Sequence, residues 1–345
     1  MRAFHHPDQM RHEPRFFLQR GAVRPNFEAP ARAASLLAGL GELGLAAEIA
    51  APADAAALAA VHTGDYIDFL RNAAREWAAL PGAAGPEAVA NAHPSPEMLA
   101  QGALPGPGVI GRAGWFTADT ACPIGPGTWD ACLAAAGTAL AAAAEAAKGG
   151  QAYALCRPPG HHAYAARAGG HCYVNNAALA VRALRRAGAA RVAVIDVDSH
   201  HGNGTQGIFW EDGGVLTVSV HADPSRYYPW YVGHPEERGA GAGEGRNLNL
   251  PLPFGSGDGA WLEAIGGGIE AVRRFGAEAL VVPLGFDASE HEPLAALTVT
   301  ADGFARAGTA LAGLRLPTAI TQEGGYNVEL LGDLLARFLQ GWGDA

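Results

Sequence analysis

The distribution of apolar positions changes character along the chain. From Ala152 onward, short β-branched and apolar runs alternate with longer Ala- and Leu-rich stretches of helical periodicity. That alternation is the pattern of a parallel sheet flanked by helices. It predicts strands at Ala152–Cys156, Val192–Val197, Val215–His221, Ala279–Leu284 and Pro317–Gln322. It predicts helices at Thr128–Lys148, Asn175–Ala187, Gly259–Phe275, Ala301–Leu314 and Val328–Leu339. The segment from about Leu80 to Gly127 departs from it: Pro and Gly are frequent, periodic apolar positions are few, and it precedes the first strong helix. A stretch of that length suits a lid, a contact between subunits, or a surface loop. A second loop, from Asp223 to Arg246, gathers Tyr227, Tyr228, Trp230 and Tyr231, which suit either a pocket wall or anchors to the core.

Polar motifs follow directly on the predicted strands, where open α/β sheets place ligand sites. Val192–Ile195 runs into Asp196-Val197-Asp198-Ser199-His200-His201-Gly202-Asn203-Gly204. Residues two apart on an extended segment share a face, so Asp198 and His200 converge on one point with Asp196 behind them. The strand at Ala279–Leu284 delivers Gly285-Phe286-Asp287, and Asp287 is the natural third ligand. Two carboxylates and one imidazole leave a divalent ion nearly neutral with a position open for water. Singly, each Asp also reads as a turn or helix-cap residue. Together, three ionisable groups behind buried strands have no structural rationale of that kind.

Two more motifs complete the set. Arg157-Pro158-Pro159-Gly160-His161-His162 holds adjacent imidazoles on a rigid turn, an arrangement suited to proton transfer at neutral pH. Gly324-Gly325-Tyr326 follows Thr318–Gln322, with Glu323 between; Tyr326 there either donates to a developing oxyanion or serves as a core aromatic beside a turn.

Composition narrows the class. With 345 residues, 49% hydrophobic and 17% charged, one α/β domain spanning 1–345 accounts for the chain, with the 80–127 segment as an insertion. No signal peptide or membrane span is visible, and the four cysteines form no Cys-x-x-Cys pair, which together suggest a cytoplasmic protein with reduced thiols. A net charge of −10 disfavours nucleic acid and mildly favours cationic substrates.

These strings, with Gly169-Gly170-His171-Cys172-Tyr173-Val174-Asn175-Asn176-Ala177-Ala178 between them, resemble the zinc-dependent histone deacetylase and acetylpolyamine amidohydrolase superfamily, in order and spacing along essentially the whole chain. Phe27-Glu28-Ala29-Pro30-Ala31-Arg32, Val61-His62 and Pro126-Gly127-Thr128-Trp129 look like the bacterial acetylpolyamine amidohydrolase branch. The resemblance implies a three-layer arginase/deacetylase-like α/β fold with a central, mainly parallel eight-stranded sheet. It implies removal of an acetyl or other acyl group from an acylated amine by metal-activated water. By the same carry-over Asp198, His200 and Asp287 bind zinc, with ferrous iron or cobalt as substitutes. His161, His162 and Tyr326 are catalytic, supported by Asp196 and Asn203. Gly170, His171, Tyr228 and Gly325 line a substrate tunnel, and Asp196, Asp198, His200 and Ser219 hold a structural potassium ion. Relatives with a long 80–127 segment form homodimers, which sets that expectation here.

Two departures bear on substrate. In polyamine-deacetylating relatives the loop before Pro-Gly-Thr-Trp carries acids, whereas here Ile110 and Ala121 fall at their Glu positions, Asp119 is the one acid, and Arg112 is added. His171 stands where an aromatic Phe or Tyr is usual, and it either gives the tunnel a polar edge or bonds a neighbouring loop. The competing readings are an amidase for another small amide, a binuclear manganese ureohydrolase, and a non-catalytic acyl-amine-binding module. Ser289, two residues after Asp287 where a second Asp would be required, argues against the ureohydrolase.

Overall fold

A computed structural model describes residues 1–82, 85–294 and 296–345. Its strands in chain order are β1 (Arg2–His5), β2 (Phe16–Gln19), β3 (Ala22–Pro25), β4 (Ala47–Ile49), β5 (Gln151–Ala154), β6 (Val192–Asp196), β7 (Val215–Ala222), β8 (Asn247–Leu252), β9 (Ala279–Leu284) and β10 (Thr318–Gln322). Eight of them form one sheet in the order β4-β1-β5-β10-β9-β6-β7-β8, and every pairing in it is parallel. Strands β2 and β3 form a separate antiparallel hairpin.

Helices cover both faces of the sheet: α1 (Pro30–Glu42), α2 (Ala55–Leu58), α3 (Gly64–Ala78), α4 (Pro96–Ala100), α5 (Val109–Phe116), α6 (Thr128–Ala146), α7 (Asn176–Arg186), α8 (Asn203–Phe209), α9 (Asp258–Phe275), α10 (Ala301–Ala312) and α11 (Leu331–Gly343). Strand side chains alternate between two cores, as a pleat requires. Val192, Val194, Val281 and Ala319 join the core beneath α3, α5, α6 and α7. Ala193, Ile195, Val282 and Ile320 join the core beneath α1, α9, α10 and α11. Burial on both faces explains why β6 and β9 read as nearly continuous apolar runs rather than alternating ones. Among the described residues no helix is long and apolar enough to cross a membrane.

The five strands expected from the sequence all occur in the sheet; Ala279–Leu284 matches at both ends, and no end of the other four is displaced by more than two residues. β1, β4 and β8 complete it. α1 and α3 precede the helix at Thr128, which is therefore not the first strong one; α3 buries Tyr66, Ile67, Phe69, Leu70, Ala73 and Trp77 along one stripe. The last helix begins at Leu331 rather than Val328, after a turn in which the Leu330 N–H donates to the Asn327 carbonyl at 3.1 Å.

The 80–127 segment is more ordered than a plain loop. It contains α4 and α5, and Val109, Ala113 and Phe116 of α5 are buried against α3. The Ala118 N–H donates to the Ala168 carbonyl at 2.7 Å, tying this segment to the loop that carries Gly170 and His171.

Helices α10 and α11 approach so closely that side chains are excluded at their contact. A Cβ at Gly341 would lie 2.0 Å from the Ala305 carbonyl oxygen, whereas one at Gly41 on α1 would meet nothing within 4 Å. Gly341→Ala is expected to destabilise the protein by about 1–3 kcal/mol through overpacking. Gly41→Ala is expected to stabilise it by about 0.5–1 kcal/mol through helix propensity. Denaturant titration of the two variants checks both signs.

Candidate metal and proton-transfer site

β5, β10, β9 and β6 are consecutive at the centre of the sheet, and all four run parallel. The loops leaving their C-terminal ends therefore emerge side by side and carry, in that order, His161 and His162, Tyr326, Asp287, and Asp196 to Asn203.

The turn after β6 is wound by its own acids. The Asp198 N–H donates to Asp196 Oδ1 at 3.1 Å, and the His200 N–H to Asp198 Oδ1 at 2.9 Å. Aspartates bonding the backbone two residues on are what the Asp-Val-Asp-Ser-His spacing favours. Asp198 Oδ2 accepts the Gly324 N–H at 2.8 Å, and Asp287 Oδ1 accepts the Ser199 N–H at 2.8 Å. His200 Nδ1 then lies 2.8 Å from Asp287 Oδ2 and 3.2 Å from Asp198 Oδ1. One ligand atom from each of the three residues falls within 4.8 Å of the others, and all three residues are buried.

This donor set fits a divalent cation. Burial disfavours charge on His200, yet Asp287 and Asp198 outweigh it and push the imidazole up to about 9. The two buried carboxylates thus draw positive charge to one point, and a cation of higher charge satisfies them better than a proton. Asp198, His200 and Asp287 are the residues that would hold it. The other such cluster among the described residues is His161, Cys172 and Glu323. There Glu323 Oε2 is committed to the Gly160 and His161 N–H groups at 2.6 and 3.0 Å, and burial holds the Cys172 thiol far above its ordinary range. Ser289, at the ureohydrolase-diagnostic position, accepts the His291 N–H at 3.3 Å and adds no carboxylate.

The adjacent imidazoles have different partners. His161 Nδ1 lies 2.9 Å from Asp196 Oδ2. Burial alone would lower this imidazole, but Asp196 and Asp198 outweigh it and push it up to about 10. His162 Nδ1 lies 2.6 Å from Asn203 Oδ1, and Asn203 Nδ2 donates to the Tyr164 hydroxyl at 3.0 Å. With its amide nitrogen so engaged, Asn203 presents an acceptor, which assigns the proton to His162 Nδ1 and leaves Nε2 with its lone pair. Burial, His161 and His200 hold His162 well below the ordinary value, so it is neutral.

The residues expected to line a substrate tunnel have partners of their own. The Tyr228 ring meets His162 edge to face at 4.8 Å, and its hydroxyl donates to Asp119 Oδ2 at 2.6 Å. The same carboxylate oxygen accepts the Gly170 N–H at 3.0 Å. Asp119, the one acid left in its loop, is thus turned inward as a tie between two walls. His171 is buried, with its ring 5.2 Å from Phe17 and 5.9 Å from Tyr326, and its Nδ1 has no hydrogen-bond partner, so this atom bonds no neighbouring loop. Burial lowers it to about 4, leaving a neutral ring. The Gly325 carbonyl accepts Arg32 Nε at 2.6 Å, and the Arg32 guanidinium stacks over the Tyr326 ring at 4.9 Å. Ser219 pairs in register with Asp196 across β6 and β7, and its Oγ lies 2.9 Å from His221 Nδ1.

Several supporting residues carry no role that the sequence alone reveals. Glu28 is wholly buried between Arg32 and Arg157, at 2.8 and 2.9 Å. Arg157 also donates to the Gln9 carbonyl at 2.5 Å and to the His12 carbonyl. Phe17, on the β2–β3 hairpin, backs His171. A charge inside Arg-Pro-Pro-Gly and another in Glu-Ala-Pro-Ala-Arg are the signals that point to this pairing, but it spans well over a hundred residues.

Comparison with known proteins agrees with this geometry. The histone deacetylase domain model matches residues 26–342, and the chain belongs to that family. It is 46% identical to an acetylpolyamine amidohydrolase of Burkholderia pseudomallei (strain 1710b), over 99% of each chain. It is 37% identical to the acetylpolyamine amidohydrolase of Mycoplana ramosa, over 93% of each. A crystal structure of acetylpolyamine aminohydrolase from B. pseudomallei superimposes with a TM-score of 0.93 at 44% identity, covering 99% of this chain and 98% of that one. The HDA15 HD domain does so with a TM-score of 0.79 at 26% identity, covering 99% and 88%. The fold is the arginase/deacetylase-like α/β fold expected from the sequence.

Gly324 leaves no room for a side chain between the two carboxylates: a Cβ there would lie 2.4 Å from Asp287 Oδ2 and 2.6 Å from Asp198 Oδ2. Gly324→Ala is expected to weaken divalent-metal binding about 10- to 100-fold by displacing both carboxylates. Competition with a chromophoric chelator, alongside an unchanged far-UV circular dichroism spectrum, checks this.

Proposed function

We propose that the protein hydrolyses the amide bond of an acylated amine, with N-acetylated polyamines as the substrate class, yielding a carboxylate and a free amine. The observation that carries this reading is the convergence, on four adjacent strand ends, of a two-carboxylate, one-imidazole ligand set and a pair of histidines held in opposite protonation states. Full-length relatives named acetylpolyamine amidohydrolase support the substrate class.

Asp198, His200 and Asp287 would hold a divalent ion, zinc or else ferrous iron or cobalt, which would supply Lewis acidity to the carbonyl and lower the proton affinity of the attacking water. His162 Nε2 takes the proton from that water, since Nδ1 is fixed on Asn203. The imidazolium so formed returns the proton to the departing amine nitrogen as the C–N bond breaks. His161 keeps its proton on Asp196 and acts as a fixed positive charge beside the developing oxyanion. Burial holds the Tyr326 phenol far above its ordinary range, so it stays protonated and donates to the same oxygen. Tyr228 and His171 give the acyl-amine stem flat walls, and the Asp119 tie keeps Tyr228 and Gly170 in register. A potassium ion at Asp196, Asp198, His200 and Ser219 would brace the same turn from behind. A homodimer through the 80–127 segment fits the exposed Met98, Leu99 and Leu104.

A second reading, an amidase for a less cationic small amide, is favoured by Ile110, which is exposed where polyamine-specific relatives carry Glu. Kinetics on acetylputrescine, acetylspermidine, acetyl-lysine peptides and longer acyl-lysines, with metal-defined enzyme, separate the two. The acetylpolyamines are expected to give the highest kcat/KM, and a higher value on uncharged amides would favour the second reading. Chelation should abolish turnover, and zinc, ferrous iron or cobalt should restore it. Tyr326→Phe is expected to lower kcat about 10²- to 10³-fold while the melting temperature stays within a few degrees, measured by differential scanning calorimetry. Full activity of that variant would sink the oxyanion role.

A further inference from the structure

Tyr326 sits on a turn that leaves the end of β10, and nothing in its own sequence fixes where its ring points. The turn is gripped from two sides. On one, Arg32 takes its carbonyls, donating from Nε to Gly325 at 2.6 Å and from Nη2 to Glu323 at 2.5 Å. On the other, Glu292 takes its N–H groups: Oε1 and Oε2 each lie 3.0 Å from the Tyr326 nitrogen, and Oε2 lies 3.4 Å from that of Asn327. The neighbouring backbone is braced in parallel, since Asn327 Nδ2 donates to the His291 carbonyl at 2.9 Å.

Glu292 is 5% exposed. It belongs to the loop after β9, five residues beyond Asp287, and it forms no ion pair among the described residues. A buried carboxylate without an ion pair is costly to keep, and its hydrogen bonds here go to the backbone of Tyr326 and Asn327. An apolar side chain of the same size would fill the space at less cost to stability but would leave the Tyr326 N–H unsatisfied. The carboxylate is therefore matched to this turn.

We propose that Glu292 is a positioning residue for the reaction: by holding the Tyr326 N–H it fixes the phenol hydroxyl against the carbonyl oxygen of the substrate amide. The inference rests on the oxyanion role given to Tyr326 above. Loss of the grip lets the turn relax, and a displacement of the hydroxyl by even an ångström removes its contribution to the transition state while leaving substrate binding in the tunnel intact. The signature is a fall in kcat with KM preserved, felt only when the hydroxyl is present.

The test is a double-mutant cycle on the metal-loaded enzyme at pH 8.5, with Glu292→Gln, Tyr326→Phe and the pair. An amide keeps the size of Glu but offers one acceptor oxygen in place of two and turns an NH2 toward the backbone N–H groups. Glu292→Gln is expected to lower kcat on the order of 10- to 100-fold, with KM and bound metal unchanged. In the Tyr326→Phe background the same substitution should change kcat by less than about twofold, because the group it positions is gone. An equal loss in both backgrounds, a loss confined to KM, or no loss at all overturns the proposal. Full activity of Tyr326→Phe by itself overturns it together with the oxyanion reading, whereas an inactive Tyr326→Phe with an additive Glu292→Gln overturns the positioning role alone. If Glu292→Gln does not fold, Glu292→Asp, which keeps the charge but retracts it by one methylene, takes its place in the cycle: a kcat loss that vanishes in the Tyr326→Phe background supports the proposal, and an additive loss overturns it.

Discussion

Two carboxylates, Asp198 and Asp287, are removed from water behind a sheet that is itself buried on both faces. Ionised groups in such a place must be compensated at close range, and the surrounding backbone is arranged around that demand. Gly324, Ser199 and His200 each give an N–H to one of them. These donors come from two of the loops, so satisfying the acids also fixes the loops against each other. The one oxygen left over, Asp287 Oδ2, faces the His200 ring. The candidate ligand set is in this sense a by-product of solving a desolvation problem, and its geometry is as rigid as the hydrogen bonds that solve it.

The same principle separates the two adjacent histidines. They share one turn and one degree of burial, with ring centroids 4.0 Å apart, and differ in what stands behind Nδ1. A carboxylate behind His161 holds a proton there, while an amide oxygen behind His162 orients the ring without adding charge. Because His161 is cationic, it lowers the proton affinity of its neighbour further. Asp behind one ring and Asn behind the other thus make the two halves of the dipeptide unlike in charge.

Much of this was legible in the chain because chemistry-bearing residues follow directly on apolar strands. Asp196, Asp198, His200 and Asp287 all stand within a few residues of a run too hydrophobic to be anything but buried. The strands that the pattern does not reveal lack that contrast. β1 and β4 have four and three residues, and β8 carries Asn247 and Asn249, which turn into a polar network around Gln206 instead of an apolar core. α3 was legible from its own spacing, but its acidic and basic residues and the Pro/Gly-rich stretch after it obscured the stripe. Residues such as Asp119, Glu28 and Glu292 look like ordinary loop or helix acids in one dimension. What distinguishes them is the partner across the fold, and pairing over such distances is set by tertiary packing rather than by local pattern.

The strand order carries a temporal meaning as well as a spatial one. β10, the latest of the ten strands in the chain, lies between β5 and β9 in the middle of the sheet rather than at an edge. Until it inserts, β5 and β9 are separated, Asp198 lacks the Gly324 N–H, and the His161 turn lacks Glu323. A chain without β10 and the turn after it lacks the donor and the acceptor that complete the centre. Completion of the candidate site therefore coincides with closure of the sheet.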